Sequence, residues 1–261
     1  MIYILLPAYN EEISIAPLFE KLNLFFRQTL NKKYQIIICD DGSTDNTVQE
    51  INMYKDKYPV KLIRHKINRG LGETMRDLIE YVAEDSNDED VVIRMDCDDT
   101  HEPLFIKGMI DKLDQDYDVV IASRFVPGGG TQGLDGYRLK ISLAAQYFMR
   151  FFFPVKGLKE YSSGYRAFRA KTLKHCIEVF GNDFIQLKGL GFTGTLEKIV
   201  KFKLVNAKIG EAPFVLRYDQ KLSDSKMITS ITTLGYIIMV VLFYWPFSGW
   251  RNKYKDVKKL R

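Results

Sequence analysis

Val91-Val92-Ile93-Arg94-Met95-Asp96-Cys97-Asp98-Asp99 is the stretch that decides the fold. A short, mostly apolar and β-branched run leads straight into a cluster of carboxylates. Such a run reads as a strand buried in a parallel sheet. The acidic turn then falls at the strand's carboxyl end, where open α/β sheets bind their ligands. Asp96 and Asp98, at i and i+2 on a turning backbone, are able to converge on one hard cation. Mg²⁺ or Mn²⁺ held in this way keeps waters and substrate phosphate oxygens as its other ligands. Taken alone, the same cluster also reads as a solvated acidic loop capping a helix that begins near Pro103.

Working outward, short β-rich runs at 2–6, 35–39, 60–64, 91–95 and 119–122 alternate with helical stretches. That alternation predicts an α/β fold with a mostly parallel sheet. One helix carries Ile15, Leu18, Leu22 and Phe25, a second follows Ser43-Thr44-Asp45, and a third covers about 73–83. The opening apolar run is too short for a signal sequence and ends at Pro7, so it is expected to be a buried strand. Two further polar clusters share the strand-end position. Asp40-Asp41-Gly42-Ser43 offers carboxylates to ribose hydroxyls or a base N–H, with helix capping as the plainer role. Pro7-Ala8-Tyr9-Asn10-Glu11 offers Tyr9 for stacking on a base, or forms an ordinary turn. No G-x-G-x-x-G follows the first strand, which disfavours a Rossmann dehydrogenase. The histidines (His65, His101, His175) show no ligand spacing and are expected to be surface or satisfied core residues. Cys39, Cys97 and Cys176 suggest neither a disulfide framework nor a zinc site.

The 261 residues carry a formal charge of +5, and the last eleven, with six basic residues and one acidic, account for all of it. The main body is therefore balanced, which argues against nucleic acid as a partner. A basic tail at 251–261 beside an apolar segment at 227–250 fits an anionic lipid surface. Within that segment, 231–250 has no charged residue. It is expected to be embedded in a membrane, spanning it, turning back at Pro246 and Gly249, or lying in the interface. Tyr244, Trp245 and Trp250 read as interfacial anchors rather than core residues. A glycine-rich loop after Phe125 precedes an aromatic, apolar stretch at about 138–154, expected to be a helix in the membrane interface, with a core helix as the alternative.

In order and spacing, the three strand-end clusters resemble family 2 glycosyltransferases of the GT-A fold. Ser123-Arg124-Phe125-Val126-Pro127-Gly128-Gly129, the segment Tyr161-Ser162-Ser163-Gly164-Tyr165-Arg166-Ala167-Phe168, and Arg217 followed by Ser225-Lys226-Met227 narrow the likeness to polyprenyl-phosphate hexosyltransferases. The resemblance covers 1–226 and implies a catalytic domain there. It implies that Pro7, Tyr9, Glu11 and Asp40 line a nucleoside pocket. Asp96 and Asp98 would hold the metal and diphosphate, with Cys97 giving backbone contacts and Thr100 as a further, weaker metal-site residue. Arg124, Arg138 and Ser142 would receive an acceptor phosphate, and Arg217 and Lys226 the donor phosphates. Arg217 and Lys226 lie further apart than in the simpler family pattern, which makes Lys221 a candidate substitute for Lys226. Glu197 reads equally as a helix-face charge or a ligand to a sugar hydroxyl.

The implied reaction is an inverting, metal-dependent transfer of a hexose from GDP-mannose or a UDP-hexose to a polyprenyl phosphate, on the cytoplasmic face of a membrane. Its chemistry is self-consistent. The leaving diphosphate needs cations. A phosphate monoester acceptor, with a second pKa near ~6, is already ionised and needs no general base. A sugar hydroxyl acceptor would need one. Two other functions fit the same residues. One is transfer to a carbohydrate or another lipid, and the other is an inactive nucleotide-sugar-binding scaffold at the membrane.

Overall fold

The computed structural model describes residues 1–134, 136–221 and 229–261. In chain order its elements are β1 (Ile2–Ala8), α1 (Glu12–Phe25), β2 (Tyr34–Asp40), α2 (Thr47–Tyr54), β3 (Val60–Arg64), α3 (Leu71–Asp85), β4 (Val91–Arg94) and α4 (Ile106–Leu113). There follow β5 (Val119–Ser123), β6 (Gly130–Gln132), α5 (Gly136–Phe152), β7 (Arg166–Arg169), α6 (Ala170–Phe180), α7 (Thr193–Leu204), β8 (Ile209–Pro213), β9 (Val215–Arg217), α8 (Thr229–Tyr244) and α9 (Gly249–Lys253). All five strands expected from the sequence form, with ends within two residues of the expected ones.

Seven strands make one sheet in the order β3-β2-β1-β4-β7-β5-β8, and β6 pairs with β9 in a second, small sheet. In the large sheet only β7 runs antiparallel to its neighbours. Alternation along β1 and β2 divides the core in two. Tyr3, Leu5, Ile37 and Cys39 face α3, α6 and α7 through Leu78, Leu173, Leu196 and their neighbours. Ile2, Ile4, Leu6, Ile36 and Ile38 face α1 and α4 through Leu18, Leu22, Met109 and Leu113. Burial on both faces explains why these strands read as unbroken apolar runs. Cys39, Cys97 and Cys176 are buried free thiols, and burial pushes Cys39 up to about 12.

The C-terminal region departs from expectation. Among the described residues no helix is long and apolar enough to cross a membrane. After α8 the chain turns through 245–248 into α9, and Met239, Phe243, Trp250 and Tyr254 join the protein's own core. Trp250 is therefore a core residue rather than an interfacial anchor, and the Lys201 ammonium sits 4.5 Å from its ring centroid. The basic tail also lies on the body. Lys253 pairs with Asp183, Lys258 with Glu178, and Arg261 with Asp116 and Asp118. Much of the charge assigned to a lipid surface is thus met by carboxylates of the same chain. Sequence periodicity missed this because the partners lie far away along the chain.

Trp250→Ala should cost about 3–5 kcal/mol, the usual range for emptying a buried aromatic site. Trp245, 70% exposed, should tolerate the same change within about 0.5 kcal/mol. Urea unfolding in detergent-free buffer checks both, and equal small effects would return Trp250 to the role of anchor.

Candidate active site

Parallel register brings the polar clusters to one end of the sheet. Ala8 is level with Asp40 on β2, and Leu5 is level with Arg94 on β4, so all three strand-end loops follow at the same edge. The first two loops are locked together. The Asn10 N–H donates to Ser43 Oγ at 2.9 Å, the Thr44 N–H to Asn10 Oδ1 at 2.9 Å, and the Glu11 N–H to Thr47 Oγ1 at 2.8 Å. Pro7 and Tyr9 are half-buried and Glu11 is buried. Gly42 holds the tight passage, since its φ is +72° and a Cβ would meet the Ile67 backbone at 2.6 Å.

Asp40 and Asp41 have different roles. Asp41 accepts the Arg69 and Gly70 N–H groups, each at 2.8 Å, and faces His65 Nδ1 at 2.7 Å. It orders the loop leading into α3, and His65 is the satisfied core histidine that the sequence suggested. Asp40 is fully buried. Its Oδ1 accepts the Ser43 N–H at 3.3 Å, whereas its Oδ2 accepts no hydrogen bond among the described residues, and Arg64 stands 3.8 Å away. A buried acceptor of this kind is suited to a ligand's N–H or hydroxyl.

Beyond β4, both carboxylates of the acidic turn are held by cations. Asp96 pairs with Arg94 at 2.5 Å, and its N–H donates to His101 Nδ1 at 2.9 Å. His101 is buried and stacks on Tyr165 with centroids 4.8 Å apart. Burial, reinforced by Arg94 and Arg124, outweighs Asp96 and Asp98 and lowers its pKa, so the neutral ring carries its proton on Nε2. Asp98 pairs with Lys221 and accepts the Thr100 hydroxyl at 2.6 Å. Burial alone would raise the Asp98 carboxyl, but the Lys221 ammonium and the Thr100 hydroxyl hold it below the ordinary range. Cys97 is buried between the two.

Thr100 is buried and donates its hydroxyl proton to Asp98, so it braces that carboxylate. Lys226 lies outside the described residues, whereas Lys221 reaches Asp98, as a substitute for Lys226 would. Among the described residues no three acidic, histidine or cysteine side chains cluster as a complete metal site. The donor set instead fits a divalent cation held by two carboxylates and completed by phosphate oxygens and water.

The remaining basic residues connect to this turn. The Arg217 N–H donates to the Thr100 carbonyl at 3.1 Å, while its guanidinium is held by Asp219 at 2.7 Å. Arg138, at the start of α5, donates to the Tyr218 hydroxyl at 2.5 Å, next in sequence to Arg217. Arg124 is not a surface residue. Its Nε and Nη2 grip the fully buried Glu160 at 2.7 and 3.0 Å, and Nη2 also reaches Ser162 Oγ at 2.9 Å. Gln146 on α5 joins the same cluster through Glu160 at 3.1 Å and Ser162 at 2.6 Å. Ser142, half-buried one turn earlier, lies on the same face of α5.

Glu160 and Gln146 were missed from the sequence because an isolated Glu before a serine pair gives no local signal. Glu197 proves to be structural. It is fully buried, pairs with Lys201 at 2.5 Å and accepts the Gln186 and Leu187 N–H groups. Arg166, in the Ser-Gly-Tyr-Arg-Ala-Phe segment, donates to the carbonyls of Tyr161, Ser163 and Thr195 at 2.8–3.1 Å and so fixes that loop against α7.

The dolichol-phosphate mannosyltransferase of Pyrococcus furiosus is 31% identical over 212 residues, covering 81% of this chain and 55% of that protein. The chain thus spans little more than half of that relative. The undecaprenyl-phosphate mannosyltransferase of Micrococcus luteus is 28% identical over 224 residues, covering 85% and 86%. Glucosyl-3-phosphoglycerate synthase of Mycobacterium tuberculosis, solved with Mn²⁺, uridine diphosphate and phosphoglyceric acid, superposes with a TM-score of 0.63 at 17% identity. That match covers 93% of this chain and 77% of the other. It establishes a GT-A-like α/β fold with a mostly parallel sheet. The profile of glycosyl transferase family 2 matches residues 3–177, and the chain belongs to that family.

Proposed function

We propose that the chain transfers a hexose from a nucleotide diphosphate sugar, GDP-mannose or a UDP-hexose, to a polyprenyl phosphate at a membrane surface. The carrying observation is the strand-end edge itself. The orphaned Asp40 Oδ2 would take a donor group of the nucleoside, and the Asp96–Asp98 turn with Lys221 would take the diphosphate. A bound Mg²⁺ or Mn²⁺ held by Asp96 and Asp98 would neutralise charge on the leaving group. Lys221 and Arg217 would hold the donor phosphates, with Pro7, Tyr9 and Glu11 lining the nucleoside side. Arg124, Arg138 and Ser142 would receive the acceptor phosphate, which is already ionised and requires no base. In-line attack would invert the anomeric centre.

The acceptor reading draws support from the surface beside these arginines. On α5, Tyr137, Tyr147 and Phe151 are 74%, 71% and 78% exposed, with Leu139 and Ile141 also outside. On α8 and the turn after it, Leu234, Ile237, Val241, Trp245 and Phe247 are exposed. The two elements meet where the Tyr244 hydroxyl donates to the Phe152 carbonyl and the Phe153 ring lies edge-on to Phe243. Exposed apolar and aromatic side chains on two touching elements suit a helix pair lying in the lipid interface rather than crossing it. The site would then sit on the cytoplasmic face, where nucleotide sugars are supplied. Mannosyltransferase relatives that act on lipid phosphates point the same way.

The test is a panel of UDP- and GDP-sugars with a polyprenyl phosphate in membranes, with and without Mg²⁺ or Mn²⁺. Metal-dependent formation of one glycosyl-lipid is expected. Transfer to free sugars alone would overturn the acceptor, and no transfer from any donor would overturn the reaction.

A further inference from the structure

Behind the acidic turn, on the α3 and α7 side of the sheet, lies a half-enclosed cavity of about 20 Å³ with cationic walls. Two oxygens of one oxyanion would fill that space, with the rest of the anion in the open side of the cavity. Arg94, Arg166 and Lys198 line it, with Gly164 leaving the space that the Arg94 guanidinium fills and Gly72 letting the Lys188 backbone come close. Arg166 is spoken for by three carbonyls. The other two are not. Arg94 is 6% exposed, its Nη2 holds Asp96, and its buried Nη1 makes no hydrogen bond among the described residues. Lys198 is 7% exposed and, among the described residues, its ammonium has no hydrogen-bond or ion-pair partner.

The nearby acids are committed elsewhere, since Glu197 serves Lys201 and two backbone N–H groups, and Asp96 already faces Arg94 and His101. Three cations therefore share a small space with no free carboxylate among the described residues. Buried charge on this scale is costly unless it is paired. Burial, then Arg166 and Arg94, bring the Lys198 ammonium down to about 7.

We propose that this cavity is an anion site in which Arg94 Nη1 and Lys198 Nζ bind the oxygens of a small oxyanion, separate from the Arg124 and Arg138 cluster. The shared chemistry is a phosphate or carboxylate group. It would come either free, as inorganic phosphate, or carried on a sugar acid. Because Arg94 also holds Asp96, occupancy would be felt at the carboxylate turn.

Thermal unfolding of the full chain in sodium phosphate and in sodium glucuronate, each against sodium chloride of equal ionic strength, tests the site. One of the two anions should raise the wild-type Tm by several degrees and bind at least tenfold more weakly to Lys198→Met. Phosphate as the effective anion marks a free oxyanion site, and glucuronate a sugar-acid site. Gly194→Ala is the second variant. Its methyl would lie 3.6 Å from Ile185 and 3.7 Å from Lys198 Nζ, ordinary contact distances that keep the fold while narrowing the space beside the amine. It should weaken the same anion even if Lys198→Met does not fold. A shift that is equal in wild type and both variants would locate the anion at the other arginines and overturn the proposal. So would the absence of any anion-specific shift in the wild type.

Discussion

Asp98→Asn should reduce hexose transfer by about 10²- to 10³-fold, the scale seen when one preorganised charge-stabilising group is removed. The substitution keeps the size of the side chain, and its Oδ1 can still accept the Thr100 hydroxyl and N–H. What disappears is the negative charge that Lys221 pairs with and that a divalent cation would need. The loss should therefore appear in kcat/KM for the nucleotide sugar, measured at a temperature where the variant remains folded. Asp99 supplies the internal control. Its backbone is left-handed, with φ of 61°, which turns its carboxylate away to Lys21 at 2.8 Å. Asp99→Asn should leave transfer within about threefold of wild type. Steady-state kinetics across a Mg²⁺ or Mn²⁺ titration checks both. If Asp98→Asn kept wild-type rates and metal response while Asp99→Asn lost them, the wrong carboxylate would have been placed at the diphosphate.

The contrast between Asp98 and Asp99 also marks what the sequence could reveal. The strand before them was legible because burial on both faces leaves an unbroken apolar run, and its carboxyl end fixes where polar residues gather. The same logic located Asp40 and the Tyr9 turn. Direction within a cluster was not legible, since it depends on single backbone angles such as that of Asp99 and on distant partners such as Lys21. The packing of the C-terminal region onto the body was not legible for a related reason. Composition alone cannot distinguish an apolar segment that enters lipid from one that folds back, and Met239 and Trp250 face the core while Ile237 and Trp245 stay outside. Arg94 and Lys198 gave no signal either, because a lone cation in an apolar run and one lysine among several on a helix become informative only when the cavity between them is seen.

Glu160→Gln carries an expected effect on stability as large as any and also bears on the acceptor site. The carboxylate is wholly buried and accepts from Arg124 Nε and Nη2, Gln146 Nε2, and the Ser162 and Ser163 N–H groups, at 2.7–3.1 Å. A Gln there turns an amide donor toward other donors and strands a nearly buried guanidinium. Breaking a buried pair by removing one partner costs about 3–5 kcal/mol. For a chain of this size that corresponds to roughly 10 °C in Tm. Arg124→Met should cost a similar amount, and the double variant should recover part of the loss, because neither charge is then left alone. The consequence for function follows from the geometry of the pair. Nε and Nη2 are fixed by Glu160 and Ser162, so the guanidinium is held rigid with Nη1 left to meet an incoming oxyanion. Arg124→Lys would keep the charge but lose the fork. At a temperature where it remains folded, it should raise the KM for a polyprenyl phosphate at least tenfold while leaving the KM for the nucleotide sugar nearly unchanged. An equal rise for both substrates would make Arg124 a brace for the whole site, and an unchanged acceptor KM would remove it from the acceptor phosphate altogether.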